Sequence, residues 1–193
     1  MNPLNSVPAA IITGVVLAII VFVIIPGYTF NELSLARWLH ILSGVMWIGL
    51  LYYFNVAQIP ALAAAAADKG GPGGAGITKY VAPRALFWFR WAAVATWVTG
   101  AWYLARAGTF DDAFMLREGV QVIGIGAWLG TIMLFNVWVL IWPNQKKILG
   151  LVPATDEQKA QARKTALYAS RTNFILSVPM LLCMGSQSHG LPF

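Results

Sequence analysis

Cysteine is nearly missing from this sequence: Cys183 is the single one among 193 residues. No internal disulfide can form, and no C-x-x-C-H attachment site for a c-type haem exists. Histidine is almost as scarce, with His40 and His189 only. There is no H-E-x-x-H pair and no cluster of carboxylates, so a hydrolytic metal centre has no ligands, and nothing resembles a Ser-His-Asp triad. Charge is the third scarcity. Charged residues make up 10% of the chain, against about 25% in an ordinary soluble domain. A soluble chain this apolar would have too little polar surface to cover itself, whereas lipid tails solvate an apolar exterior. The run Gly70-Gly71-Pro72-Gly73-Gly74-Ala75-Gly76 lacks the G-K-[ST] ending of a phosphate-binding loop, and no strand precedes it. It reads as a flexible connection. No internal repeat is visible.

What the sequence does have is long apolar runs. A hydrocarbon core about 30 Å thick needs about 20 apolar residues in a helix. Five stretches qualify, at about 8–25, 34–57, 83–105, 120–142 and 172–191. They predict an all-α integral membrane protein with one transmembrane domain over residues 1–193. Pro26-Gly27 ends the first helix, Pro60 limits the second, and Pro143 stops the fourth. Pro83 opens the third, where its missing N–H costs nothing, and Pro179 is a candidate kink in the fifth. The first stretch lacks a basic leader and a clean A-x-A site, so it reads as a retained helix. Residues 151–164 are polar and helix-prone, with Thr155 and Gln158 spaced as a capping box. They read as a short cytoplasmic helix leading into the fifth span. Nine Trp and six Tyr suit an interfacial aromatic belt.

The net charge of +6 does not point to a nucleic-acid partner, because the basic residues flank the apolar spans. Ten of the thirteen, from Lys69 to Arg90 and from Lys146 to Arg171, fall around two alternate loops. The other two loops hold only Arg37, Arg106 and Arg117, beside Glu32, Asp111, Asp112 and Glu118. Positive-inside bias then puts the N-terminus on the cytoplasmic side and the C-terminus outside, with the membrane crossed several times.

His40 lies about six residues into the second span, roughly 9 Å deep at 1.5 Å per residue. His189 lies near the outer end of the fifth. Both imidazoles therefore fall towards the same outer leaflet. An intramembrane ionisable group usually has a partner or a purpose. Two imidazoles at one depth can be the axial ligands of one haem b. Gly44, one turn after His40, would leave space for a porphyrin, and Trp47 shares that face. The alternatives are a backbone hydrogen bond for His40, an interfacial role for His189, or Met46, Met180 or Met184 as one of the axial ligands. Arg90, within Phe87-Trp88-Phe89-Arg90-Trp91, either contacts an anionic or quinone headgroup or snorkels to lipid phosphate. Asn55, Asn136 and Asn173 should link helices by hydrogen bonds, and Gly126-x-x-x-Gly130 allows close helix packing.

The stretches 36–61 (ARWLHILSGVMWIGLLYYFNVAQIPA), 66–103 with its ADKGGPGGAGITKYVAPRALFWFRW, and 170–189 (SRTNFILSVPMLLCMGSQSH) together resemble a known family. It is the membrane region of the bacterial membrane-bound, cytochrome-c-linked urate oxidases (urate hydroxylases), over about residues 34–193. The H-x-x-x-G-x-x-W-x-G pattern from His40 is also similar to small haem b membrane proteins of the protoporphyrinogen oxidase type. The resemblance implies a redox function as an oxidoreductase membrane component in a bacterial inner membrane, with the C-terminus on the periplasmic side. In the family a cytochrome c domain follows the membrane region on the outer side. No such domain follows here before Phe193. The expectation is that electrons pass to a separate periplasmic c-type cytochrome. The alternative is a non-catalytic subunit that anchors or assembles a larger respiratory complex. A small transporter is disfavoured by the lack of a repeat or of paired broken helices.

Overall fold

The computed structural model describes residues 2–27 and 29–192, and among them there are helices and no strand. Two units are separable, Met1–Glu32 and Leu33–Phe193. The first contains α1 (Val7–Ile24), which Ser6 caps by accepting from the Ala9 N–H. A short 3-10 turn, Pro3–Asn5, precedes it.

The second unit holds α2 (Glu32–Ala67, from its second residue on), α3 (Ala82–Arg106), the short α4 (Phe110–Phe114), α5 (Gln121–Ile148) and α6 (Asp156–His189). Contacts fix the order of the four long helices. Phe54 meets Phe89, and His40 meets Thr96, so α2 and α3 run antiparallel. Trp97 bonds Thr131 and Trp91 meets Trp138, which pairs α3 with α5. Asn136 bonds Asn173 while Gly126 abuts Cys183, pairing α5 with α6. Asn55 bonds Ser170 and Tyr52 bonds Ser177, closing α6 back on α2. The result is an up-and-down four-helix bundle.

Prolines do not end these helices as the sequence suggested. Pro60 and Pro143 lie inside α2 and α5, and each follows a widened π-type turn, Phe54–Gln58 and Asn136–Ile141. A third such turn, Ile77–Val81, precedes Pro83. A proline ring clashes with the carbonyl four residues back and has no N–H to give it. One extra residue in the preceding turn shifts that carbonyl away, so the helix passes through. The expected ends near Ala57 and Trp142 accordingly move to Ala67 and Ile148. Residues 156–164 are not a separate helix either. They form the first turns of α6, opened by the capping box of Thr155 and Gln158.

Among the described residues, four helices are long and apolar enough to cross a membrane: Val7–Ile24, Glu32–Ala67, Gln121–Ile148 and Asp156–His189. The sequence suggested five. The third stretch is a helix of 25 residues, but its tryptophans, Tyr103 and three arginines dilute its hydropathy.

Packing is tightest where α5 and α6 meet. Small side chains of α6 (Ala162, Ala166, Ala169, Ser170, Asn173 and Ser177) recur every three or four residues and are buried, as close helix approach requires. A Cβ on Gly126 would stand 3.1 Å from Cys183 Cβ. The interhelical amides behave as expected. Asn55 donates to Ser170 Oγ at 3.0 Å; Asn136 donates to Asn173 Oδ1 at 2.8 Å; Asn173 donates to the Met133 carbonyl at 2.9 Å.

Asn173 is fully buried, and its loss would orphan the Asn136 amide. An interhelical hydrogen bond in a membrane averages about 0.6 kcal/mol, and an orphaned buried partner raises the cost to about 1–3 kcal/mol. Asn173→Ala should therefore destabilise by about 1–2 kcal/mol. The double variant with Asn136→Ala should lose less than the two singles added. Reversible unfolding in mixed detergent micelles measures this, and strict additivity would contradict the coupling.

Candidate functional site

One end of the four-helix unit is not filled. A cavity of about 730 Å³ opens there between all four long helices. Its wall is Arg37, His40, Ile41 and Trp47 from α2, and Thr96, Trp97, Gly100 and Tyr103 among others from α3. Phe114 comes from α4, Ile123, Ala127 and Gly130 from α5, and Met180, Leu181, Met184, Gly185 and Gln187 to His189 from α6. The lining is mainly apolar, and no carboxylate stands among the described residues that form it.

His40 is half-buried, and its Nδ1 lies 2.8 Å from the Thr96 carbonyl. A carbonyl can only accept, so Nδ1 carries the proton and Nε2 is the ring's free base. This is the arrangement by which a backbone carbonyl orients a metal-ligating histidine. Thr96 and Gly100 are four residues apart on α3, so the Thr96 carbonyl points along the helix towards position 100. A Cβ on Gly100 would come within 2.9 Å of both Cε1 and Nδ1 of the ring. The missing side chain at position 100 is what lets the imidazole reach that carbonyl.

His189 stands in the same wall and is exposed, as the last residue of α6 before Gly190 turns at φ +81°. Two residues earlier, Gln187 accepts from the Ile123 N–H at 3.0 Å and donates to the Gly119 carbonyl at 3.1 Å. It thereby ties the end of α6 to the start of α5.

Of the four residues singled out in the sequence, the cavity brings together His40, Trp47 and His189. Gly44 is not in the wall; its missing side chain faces α3, where a Cβ would stand 3.8 Å from Thr96 Cγ2. Met180 and Met184 line the cavity, and Met46 is exposed outside it. Trp47 is 2% exposed, and its indole N–H has no hydrogen-bond partner. Arg90 is held within the protein. Its guanidinium lies 3.5 Å over the Trp142 ring and Nη1 donates to the Leu86 carbonyl.

Sequence reasoning missed Gly100, Thr96 and Gln187. Gly100 was discoverable as a lone glycine inside a helix otherwise rich in bulky rings. Gln187 carried a weaker signal, a polar residue two before a candidate ligand. The role of Thr96 belongs to its backbone and has no signature.

Two glycines shape the empty space. Gly130 is buried, yet a Cβ there would meet nothing within 4 Å; Gly185, also in the wall, is exposed and equally without a neighbour at the Cβ position. The Gly126-x-x-x-Gly130 pair thus splits its work: Gly126 packs α5 on α6, and Gly130 opens the cavity.

Residues 110–193 match the family model described as urate oxidase N-terminal. The match covers less than half of the chain, from α4 to the end of α6. It includes the His189 side of the cavity and leaves out His40. No curated protein and no solved structure matches the chain. The match supports a urate oxidase-related family for the second half of the sequence.

Gly→Ala inside a helix normally stabilises by about 0.5–1 kcal/mol. Gly100→Ala should do the opposite, because the new methyl meets the His40 ring. It should lower the unfolding midpoint and abolish the Nδ1-protonated tautomer of His40. Histidine 15N spectra in micelles read that tautomer, with His189→Gln assigning the two signals. A more stable Gly100→Ala variant with an unchanged tautomer would refute the contact.

Proposed function

We propose that this chain is a haem-b-binding redox protein of a bacterial inner membrane. In this reading it is related to the membrane part of urate hydroxylase and passes electrons to a periplasmic c-type cytochrome. The observation that carries the reading is the shared cavity. Its wall contains both histidines of the sequence, and one of them is held by Nδ1 so that Nε2 is free as a base.

The residues fit a haem in several independent respects. The cavity is broad, apolar and free of carboxylates, as a porphyrin face requires. Gly130 and Gly185 leave flat wall where side chains would intrude. Trp47 offers an unpaired donor beside Met180 and Met184. His40 and His189 would hold the haem iron, with Met180 or Met184 as the alternative to His189. A bound haem would supply one-electron chemistry there. The chain's own part is to exclude water with Trp97, Phe114 and Leu181, and to hold the His40 ring through Thr96 and Gly100. Trp97 is itself fixed by donating to Thr131 Oγ1 at 2.9 Å.

The membrane setting rests on the four apolar helices and on the outward faces of the bundle. Leu42 and Val45 on α2, Ile132 and Val139 on α5, and Ile175 and Val178 on α6 are all exposed. The distribution of basic residues supports a periplasmic position for the cavity, where a cytochrome c would meet it. Urate, named by the matched family, is the proposed electron donor.

The test is an optical spectrum of the full chain purified after expression with ample haem. A Soret band with sharp reduced α and β bands is expected. His40→Ala should lose most of the absorbance. Gly185→Leu should reduce it by filling the cavity, without unfolding the helices, since no neighbour stands within 4 Å. A colourless wild-type preparation would sink the haem reading.

A further inference from the structure

Among the described residues that line the cavity, Arg37 is the one permanent cation and none is a carboxylate. Arg37 is three residues before His40 on α2, about 4.5 Å nearer that helix's start. It is exposed, so it stands at the rim. Its guanidinium is ordered: Nη2 donates to Tyr103 Oη at 2.8 Å, and Cζ lies 5.1 Å from the centre of the Tyr103 ring. Tyr103 is three residues after Gly100 on α3. The two helices therefore pair twice in register, His40 against Gly100 and then Arg37 against Tyr103 one turn further out. The Tyr103 hydroxyl accepts from Arg37 and keeps its own proton to donate. Together they offer an anion the remaining guanidinium N–H groups and one O–H, all at the edge of an apolar chamber.

We propose that Arg37 and Tyr103 form a carboxylate-binding rim. The ligand of the cavity is then a broad apolar molecule with a carboxylate at its edge. Resting on the haem reading, that group is a porphyrin propionate pointing to the outer surface. A guanidinium fork suits a carboxylate because two parallel N–H groups match its two oxygens. Ordering by Tyr103 means that little side-chain freedom is lost when the anion arrives. The same arrangement disfavours a neutral ligand of equal shape, which would leave the guanidinium covered and unpaired.

The experiment compares two probes on the full-length apo-chain in detergent micelles: ferric protohaem and its dimethyl ester, which is neutral at the propionates. Wild type should bind the free diacid about tenfold more tightly, the size of one charge-assisted hydrogen bond. Arg37→Gln should lose that preference while keeping its affinity for the ester. Tyr103→Phe should lose part of it, and Arg37→Lys should restore part of it relative to Arg37→Gln. Equal wild-type affinity for the two probes overturns the rim and leaves the haem reading standing. Binding of neither probe overturns both. If Arg37→Gln weakens diacid and ester alike, the residue supports the fold only and the rim is overturned.

Discussion

The approach of the His40 ring to the backbone of α3 fixes the geometry of the candidate site. The ring fits because position 100 has no side chain, and it stays because the Thr96 carbonyl accepts from Nδ1. That single bond sets which nitrogen is free, and it sets the separation of α2 and α3 at the cavity. One turn away, Arg37 and Tyr103 repeat the pairing. On the opposite side of α3, Trp97 is tied to Thr131 of α5. The helix thus holds a fixed distance to both neighbours, and the space between them is held open by position rather than by loose packing. Interiors are otherwise as dense as organic crystals, so a chamber of about 730 Å³ needs such struts.

The three widened turns have a common cause and a second effect. Each absorbs a proline, and two of them carry the buried amides. Asn55 and Gln58 belong to Phe54–Gln58, and Asn136 opens Asn136–Ile141. Buried π-type turns recur at functional sites. Here they lie in the half of the bundle away from the cavity, where they bring polar side chains to the helix contacts. Asn55 uses its amide nitrogen on Leu51 and Ser170, and its oxygen has no partner. The Gln58 oxygen is likewise unpaired. These acceptors have hydrogen-bond capacity that an internal water would fill. The amides join α2 to α6 and α5 to α6, so register is set in this half by polar bonds and in the other half by His40 and Arg37.

Helix type was readable from composition and length alone, because nothing but a helix or a closed barrel satisfies its backbone in lipid; the number of spans was not, since five were expected and four described helices are apolar enough. Helix ends were not. A proline in sequence signals a break, and whether a widened turn rescues it depends on neighbours that local sequence does not name. Hence α2 and α5 outran their expected ends, and α6 absorbed the polar segment before it. The site was legible where it rests on rare residues. Two histidines and a depth argument led to one cavity wall. It was illegible where it rests on backbone and on missing atoms, as at Thr96 and Gly100. Gly44 shows the limit of helical periodicity: sharing a face with His40 put it near the cavity in sequence terms, but the wall turns at Thr96 and the glycine serves the α2–α3 contact instead.

The contrast between Gly126 and Gly130 explains why one end of the bundle is open. Both are buried and one helical turn apart on α5. At Gly126 the α6 side chains Cys183 and Met184 close in to 3.1–3.2 Å, so the glycine is consumed by packing. At Gly130 nothing approaches within 4 Å, although the amide bonds a turn or two further along α5 hold α5 and α6 together. A glycine that packs nothing in a helix interior costs stability relative to alanine, by about 0.5–1 kcal/mol. At position 130 the cost goes with cavity space, since Gly130 lines the chamber and an alanine methyl there would stand in it.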